Sequence, residues 1–178
     1  MKTKGKEKLE VLFVCTGNTC RSPMAEGILK KMLKDQGVSG VAVSSAGICS
    51  LENIPATPFA IQVARGKDVD ISRHLSRQLT KKMLDQSDLV LVMAQEHLDF
   101  IRRIDEESSI RAFLLKLFPR SYTESNTKRD PDVLSIKDPV GGCLAEYEIS
   151  FREIEKEIKK ILPDILKLVE KSNSQASL

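Results

Sequence analysis

Leu9-Glu-Val-Leu-Phe-Val-Cys15, followed by Thr-Gly-Asn-Thr-Cys-Arg21-Ser22-Pro23, is the stretch on which the fold turns. Its first seven residues form a nearly continuous apolar run rich in β-branched and aromatic side chains. That pattern reads as a strand buried on both faces, which belongs in a parallel sheet covered by helices. Thr-Gly-Asn then breaks the run, and Ser22-Pro23 opens a helix with proline just inside its start. Met24, Ala25, Ile28, Leu29, Met32 and Leu33 recur at helical spacing until Gly37 stops them. Strand, loop and helix in that order make the first unit of an alternating α/β fold.

Working outward, Val41 to Ala46 alternates and ends at Gly47, predicting a second strand, and Pro58 to Arg65 predicts a short helix stopped by Gly66. Thr80 to Gln86 leads into another double-buried strand, Asp88 to Ala94, with a helical pattern after it at Leu98 and Ile101. Arg111 to Phe118 reads as a fourth strand, and the polar stretch Pro119 to Lys137 as a surface excursion. From Ala145 onward, Ile149, Ile154, Ile158, Ile161, Ile165, Leu168 and Val169 trace the apolar stripe of a long closing helix. Pro163 is expected to kink or split it near Ile161-Leu162. The expectation is one α/β domain spanning residues 1–178, a parallel sheet with helices on both faces, and disordered tails at 1–8 and 172–178.

Composition narrows the function. Hydrophobic residues at 41% and charged residues at 30% of 178 exclude a mainly disordered chain, a collagen-like repeat and a mucin-like stalk. No apolar run approaches the ~18 residues of a spanning helix, and Val11 to Val14 is too short for a signal-peptide core, so a cytoplasmic chain with no membrane partner is expected. The formal charge of +3 resides in Met1 to Lys8, which leaves 24 basic and 24 acidic residues in the body. A neutral body argues against nucleic acid, which needs a clustered basic surface. Four cysteines in such a chain are fillers, reactive thiols or ligands rather than a disulfide scaffold.

Cys15 stands at the carboxyl end of the first strand and Arg21 six positions later, where the helix begins. A loop between a strand end and a helix N-terminus turns backbone N–H groups inward and forms an anion cradle, for which phosphate is the natural guest. Gly17 is expected to let the backbone approach the anion, Asn18 to hold a left-handed turn, and Arg21 to grip two phosphate oxygens. Cys15 would lie beneath the phosphorus, its pKa lowered to roughly 3.5–7.5 by the helix N-terminus and the arginine, with Ser22 donating to the sulfur. Neither G-x-G-x-x-G nor G-x-x-x-x-G-K-[ST] is present, so neither a dinucleotide enzyme nor an NTPase is favoured. Asp138-Pro139 offers a carboxylic acid on a stiffened loop, able to protonate a leaving group. Cys49, Cys143 and His97 have no partner at metal-ligand spacing and are read as structural. No metal and no cofactor is called for.

The segments VLFVCTGNTCRSPMAE (Val11 to Glu26), SSAG (Ser44 to Gly47), HLSRQLT (His74 to Thr80), DLVLVMA (Asp88 to Ala94) and DPVGG (Asp138 to Gly142) resemble the low-molecular-weight protein-tyrosine phosphatases over nearly the whole chain. The resemblance implies a four-stranded parallel sheet in order 2-1-3-4, with Cys15 as nucleophile, Arg21 as phosphate clamp and Asp138 as general acid. It makes Thr16, Gly17, Asn18, Thr19, Cys20 and Ser22 the substrate-binding loop. Asn18, Ser22, Ser45 and His74 match positions that brace that loop, and Pro139 supports the acid. It also implies that Cys20 lies near Cys15, where a reversible disulfide could protect the nucleophile.

The function implied is a metal-independent, monomeric phosphatase of phosphorylated proteins acting through a phosphocysteine. Thr19 stands where tyrosine-specific members usually carry a bulky aliphatic residue and resembles the protein-arginine phosphatases of the family, which places phosphoarginine modestly ahead of phosphotyrosine. Val140 and Gly141 stand where tyrosine-specific relatives often carry paired tyrosines, although arginine-type relatives often keep an aromatic residue at the place of Val140. Two other classes compete. An arsenate reductase-like oxidoreductase would want two further cysteines close in sequence, which Cys49 and Cys143 are not. A phosphate-binding module would more naturally have lost the nucleophile or the acid.

Overall fold

Strand β1 (Leu9–Cys15) is flanked by strands on both sides in a computed structural model of the chain, which describes residues 8–119 and 131–176. It pairs in parallel with β2 (Val41–Gly47) along its whole length, from Leu9 opposite Val41 to Cys15 opposite Gly47. On its other edge it pairs with β3 (Leu89–Val92), which in turn pairs with β4 (Ala112–Leu114), also in parallel. The order is therefore β2-β1-β3-β4, as expected.

The double-sided apolar run explains the central place of β1. Val11, Phe13 and Cys15 enter one core with Met24, Ile28 and Leu29 of α1 (Arg21–Asp35), Ala60 of α2 (Pro58–Arg65) and Ile154 and Ile158 of α6 (Leu144–Ala176). Leu12 and Val14 enter the opposite core with Leu84 of α3 (Lys81–Gln86) and with Leu98 and Ile101 of α4 (Gln95–Ile104). Alternate residues of one strand thus serve two layers, the period-two geometry of a strand covered on both faces. A 3₁₀ turn (Glu107–Arg111) leads into β4, and a single helical turn, α5 (Pro131–Leu134), precedes the segment that returns to the sheet. No helix among the described residues is long and apolar enough to cross a membrane.

Several elements differ from expectation. The third strand is shorter than Asp88 to Ala94, although Asp88 N donating to Glu10 O and Met93 N donating to Val14 O extend its hydrogen bonding at both ends. The fourth strand ends at Leu114 instead of Phe118, because Leu117 N and Phe118 N fold back onto Leu114 O. Pro163 does not split α6: the proline sits on an exposed face, where water can take the carbonyl it leaves unpaired, and buried Ile161, Leu162 and Ile165 pack on both sides of it. Ile149 is 56% exposed, and the buried stripe starts instead on Tyr147 and Phe151. The expected disordered tail from Ser172 enters the helix as far as Ala176, since a helix already formed adds one hydrogen bond per residue fixed. The N-terminal tail at 1–7, most of the excursion (120–130) and the last residues 177–178 lie outside the described residues.

Candidate active site

At the carboxyl end of β1 the chain leaves the sheet and wraps around the Cys15 sulfur. Five successive carbonyls of this loop are engaged from outside. Cys15 O accepts from Ile48 N (2.9 Å), Thr16 O from Cys49 N (3.0 Å), and Thr19 O from Thr57 N (2.9 Å). Gly17 O accepts from Ser50 Oγ (3.0 Å) and Asn18 O from His74 Nε2 (2.8 Å). Because a trans peptide sets C=O and N–H on opposite sides, carbonyls held outward leave the loop's N–H groups facing its centre. No side chain caps α1 at Cys20, so the first-turn N–H groups of that helix join the same concavity.

Asn18 is the hub of the loop. It adopts φ +54°, the left-handed conformation expected of it, and is fully buried. Its Nδ2 donates to Ser22 Oγ (2.8 Å) and Ser45 Oγ (2.9 Å), and its Oδ1 accepts from Arg77 N (3.0 Å). Ser45 passes its own proton to Glu26 Oε2 at 2.6 Å, and Arg77 Nε donates to Ser45 O at 2.7 Å. Since Ser22 Oγ already accepts from Asn18, its proton is free for Cys15 Sγ, 2.9 Å away, and Asn18 N donates to the same sulfur at 3.3 Å. A carbonyl only accepts, so His74 carries its proton on Nε2, and burial lowers its pKa despite the bond to Asn18.

Arg21 is 3% exposed and spreads across the open side of the loop. Nη1 donates to Ile136 O (3.0 Å), while Nη2 donates to Thr16 Oγ1 (3.1 Å) and to Asp138 Oδ2 (2.5 Å). Its Nε, buried, has no hydrogen-bond partner among the described residues. Asp138, 36% exposed, receives Val140 N on its other oxygen at 3.2 Å, so Pro139 and Val140 form the tight turn that carries it. Arg21 and Asp138, 117 residues apart in sequence, thus meet over the loop.

The backbone at Gly17 is uncrowded, since a Cβ there would meet only Thr19 Oγ1 at an ordinary 3.6 Å. The glycine that the loop requires is Gly47 at the end of β2, where a Cβ would lie 2.6 Å from Thr16 O and 3.0 Å from Asn18 N. The Cys15 thiol is pushed up in pKa, not down: complete burial outweighs Arg21, the Ser22 hydroxyl and the N–H groups of Ser22 and Asn18. The physical reason is desolvation: a thiolate enclosed away from water loses more than the nearby guanidinium and donors return.

Cys20 is a free, buried thiol with Thr57 Oγ1 at 3.4 Å, Tyr147 OH at 3.6 Å and the half-buried Thr19 Oγ1 at 3.7 Å. Tyr147 also packs edge-on against Phe59, with ring centroids 5.6 Å apart. Tyr147, Arg77, Glu26, Ser50, Thr57 and His97 were not singled out as site residues from sequence. Arg77 and Glu26 lie inside the quoted motifs, and the others had no local signal. His97, read as structural, places Nε2 3.0 Å from Thr16 Oγ1. Cys49 and Cys143 are exposed and free.

Comparison with known proteins agrees with this arrangement. Residues 10–175 match the family described as low molecular weight phosphotyrosine protein phosphatase. The chain is 34% identical over 159 residues to a protein-arginine-phosphatase of Bacillus subtilis, covering 89% of this chain and 98% of that protein. A solved structure described as YwlE arginine phosphatase, a cysteine-to-serine mutant with phosphorylated active site serine, superposes with a TM-score of 0.77 at 30% identity, covering 89% of this chain and 97% of that one. A low molecular weight protein tyrosine phosphatase from T. tengcongensis gives a TM-score of 0.76 at 33% identity, covering 88% and 99%. With the overall fold and nearly the full length of the chain in agreement, the protein belongs to the low molecular weight phosphotyrosine protein phosphatase family.

Proposed function

We propose that the protein removes phosphoryl groups from phosphorylated protein side chains through a phosphocysteine on Cys15, with phosphoarginine favoured over phosphotyrosine. The observation that carries this reading is the convergence of three groups: a sulfur receiving a hydroxyl and an N–H, a guanidinium over the same loop, and a carboxyl touching that guanidinium. An entering phosphate replaces Asp138 on Arg21, and the unpartnered Nε together with Nη2 supplies a two-pronged clamp. The released Asp138 then faces the leaving atom. The Cys15 thiol gives up its proton, by way of a phosphate oxygen, to the Asp138 carboxylate; the resulting thiolate attacks phosphorus while the bond to the leaving oxygen or nitrogen breaks, and Asp138 hands that proton to the leaving atom. In the second step Asp138 takes a proton from water, the water oxygen bonds phosphorus, and the thiolate departs, releasing inorganic phosphate. Ser22 and Asn18 stabilise the sulfur's charge in both steps.

Thr19 supports the preference for phosphoarginine. A phosphoarginine brings a planar guanidinium whose N–H groups can meet a threonine hydroxyl and the Asp138 carboxylate. A phosphotyrosine brings a ring that wants apolar walls, and the turn after Asp138 offers only Val140 and Gly141. Phe59, partly exposed beside Tyr147, is the feature that favours the phosphotyrosine reading. The proposal further places the protein as a monomer in the cytoplasm, with phosphorylated proteins as its partners. Replacing Thr19→Ile should lower the ratio of kcat/KM for phosphoarginine over phosphotyrosine peptides by ~10-fold or more, a transition-state difference of about 1.4 kcal/mol. A ratio unchanged within error returns the assignment to phosphotyrosine.

A further inference from the structure

Behind the phosphate loop sits a histidine for which the reaction above has no use. His97, in the first turn of α4, is completely enclosed, with Nε2 at 3.0 Å from Thr16 Oγ1 and Nδ1 without a hydrogen-bond partner among the described residues. The same Thr16 oxygen accepts from Arg21 Nη2 at 3.1 Å. A hydroxyl has one proton and two lone pairs, so an oxygen already receiving from the guanidinium has its proton to give. Nε2 of a neutral ring can take it, and we infer that tautomer, in which the remaining ring proton lies on Nδ1.

The surroundings keep the ring neutral. Burial and the charge of Arg21 together lower the His97 pKa to about 3. Glu96 Oε1, 3.9 Å from Nε2, is beyond hydrogen-bond range and largely exposed, and Asp138 lies across Arg21 from the ring. A one-way chain results, from the Arg21 guanidinium to the Thr16 hydroxyl to the His97 acceptor. Aligned donors of this kind strengthen one another in the low dielectric of a largely buried site. A leucine would fill the same volume without enclosing an unpartnered N–H, so packing alone does not account for the histidine.

We infer that His97 is a positioning residue for the phosphate clamp: an uncharged acceptor that fixes the Thr16 hydroxyl and, through it, the resting place of the Arg21 guanidinium. The inference rests on the reading of this loop as the phosphate site. With the acceptor present, the Thr16 hydroxyl is drawn back against α4 and Arg21 waits at the rim, one rotation from the anion. Without it, the hydroxyl proton has no outward partner, and both Thr16 and Arg21 lose a defined position. The loss falls on anion binding before it falls on the chemical step.

The test compares His97→Leu with His97→Gln in the full chain, measuring kcat and KM on para-nitrophenyl phosphate and the inhibition constant of inorganic phosphate. The leucine variant should raise KM and the phosphate inhibition constant about tenfold or more with a smaller change in kcat, and glutamine, whose amide can reach Thr16, should recover both to within about threefold of wild type. Equal losses in the two variants, or no change in the leucine variant, overturn the inference.

Should the leucine variant fail to fold, long-range proton–nitrogen NMR of the wild-type ring decides. The expected result is a neutral ring with its proton on Nδ1 throughout about pH 5 to 8, and an Nε2 resonance that shifts on adding inorganic phosphate. A ring that titrates in that interval, carries its proton on Nε2 or ignores phosphate overturns it. The NMR readout needs no turnover, so a chain whose ring responds to phosphate as described but which hydrolyses no phosphoester would sink the proposed function and leave this inference standing.

Discussion

At the scale of single residues, the site depends on where one guanidinium points. Arg21 is shared among Ile136 O, Thr16 Oγ1 and Asp138, and burial outweighs its charge at the Cys15 thiol. Removing the carboxylate with Asp138→Asn frees the charge of Arg21 to act on the sulfur, so the thiol pKa should fall and alkylation by iodoacetamide near neutral pH should quicken. Turnover should move the other way, dropping ~100 to 10,000-fold and most for poor leaving groups, because the proton donor is gone. Equal losses on all leaving groups, or slower alkylation, would count against the acid role. Cys15, Asn18, Arg21, Ser22 and Asp138 were legible in the sequence, since a strand end, a left-handed turn and a helix start each leave a local pattern. His97 was not, because its meaning comes from Thr16, 81 residues away, and no spacing within α4 announces that partner.

At the scale of elements, the register of β1 on β2 does the work of building the loop. Cys15 stands opposite Gly47, and the chain beyond β2 returns Ile48, Cys49 and Ser50 to hold three loop carbonyls outward. A side chain at Gly47 would strike backbone atoms, which cannot swing aside. Gly47→Ala should therefore cost about 1–3 kcal/mol of stability as an overpacked site does, and lower kcat/KM well beyond what that loss explains. Wild-type kcat/KM in the folded variant would contradict the requirement. The continuous apolar run of β1, the alternation of β2 and the helical spacing of α1 gave those elements away. The fourth strand was overestimated since the turn at Leu114 is made by backbone bonds that Leu115 to Phe118 do not announce. Pro163 misled because the rule for proline concerns the lost donor, whereas exposure at that position and packing around it decide whether the helix continues.

At the scale of the whole molecule, a parallel sheet gathers the carboxyl ends of its strands on one side, and the site is assembled there from β1, the segment after β2, α4 and the turn before α6. Enclosing His97 to serve that site makes stability depend on pH. The unfolded ring binds a proton at about 6.5 and the folded one only at about 3, so between these values the unfolded state is the more protonated. Stability should thus fall on acidification through that window, by up to about 1.4 kcal/mol per pH unit from this group, and His97→Gln should flatten the slope in urea unfolding. An identical slope in the variant would place the ring in contact with water. The central claim is chemical, and the most direct measurement of it is to locate the phosphoryl group during turnover. Wild-type enzyme quenched rapidly on para-nitrophenyl phosphate, then peptide-mapped by mass spectrometry, should carry phosphate on Cys15, whereas phosphate on another residue, or a Cys15→Ser protein that still turns over, would contradict the account.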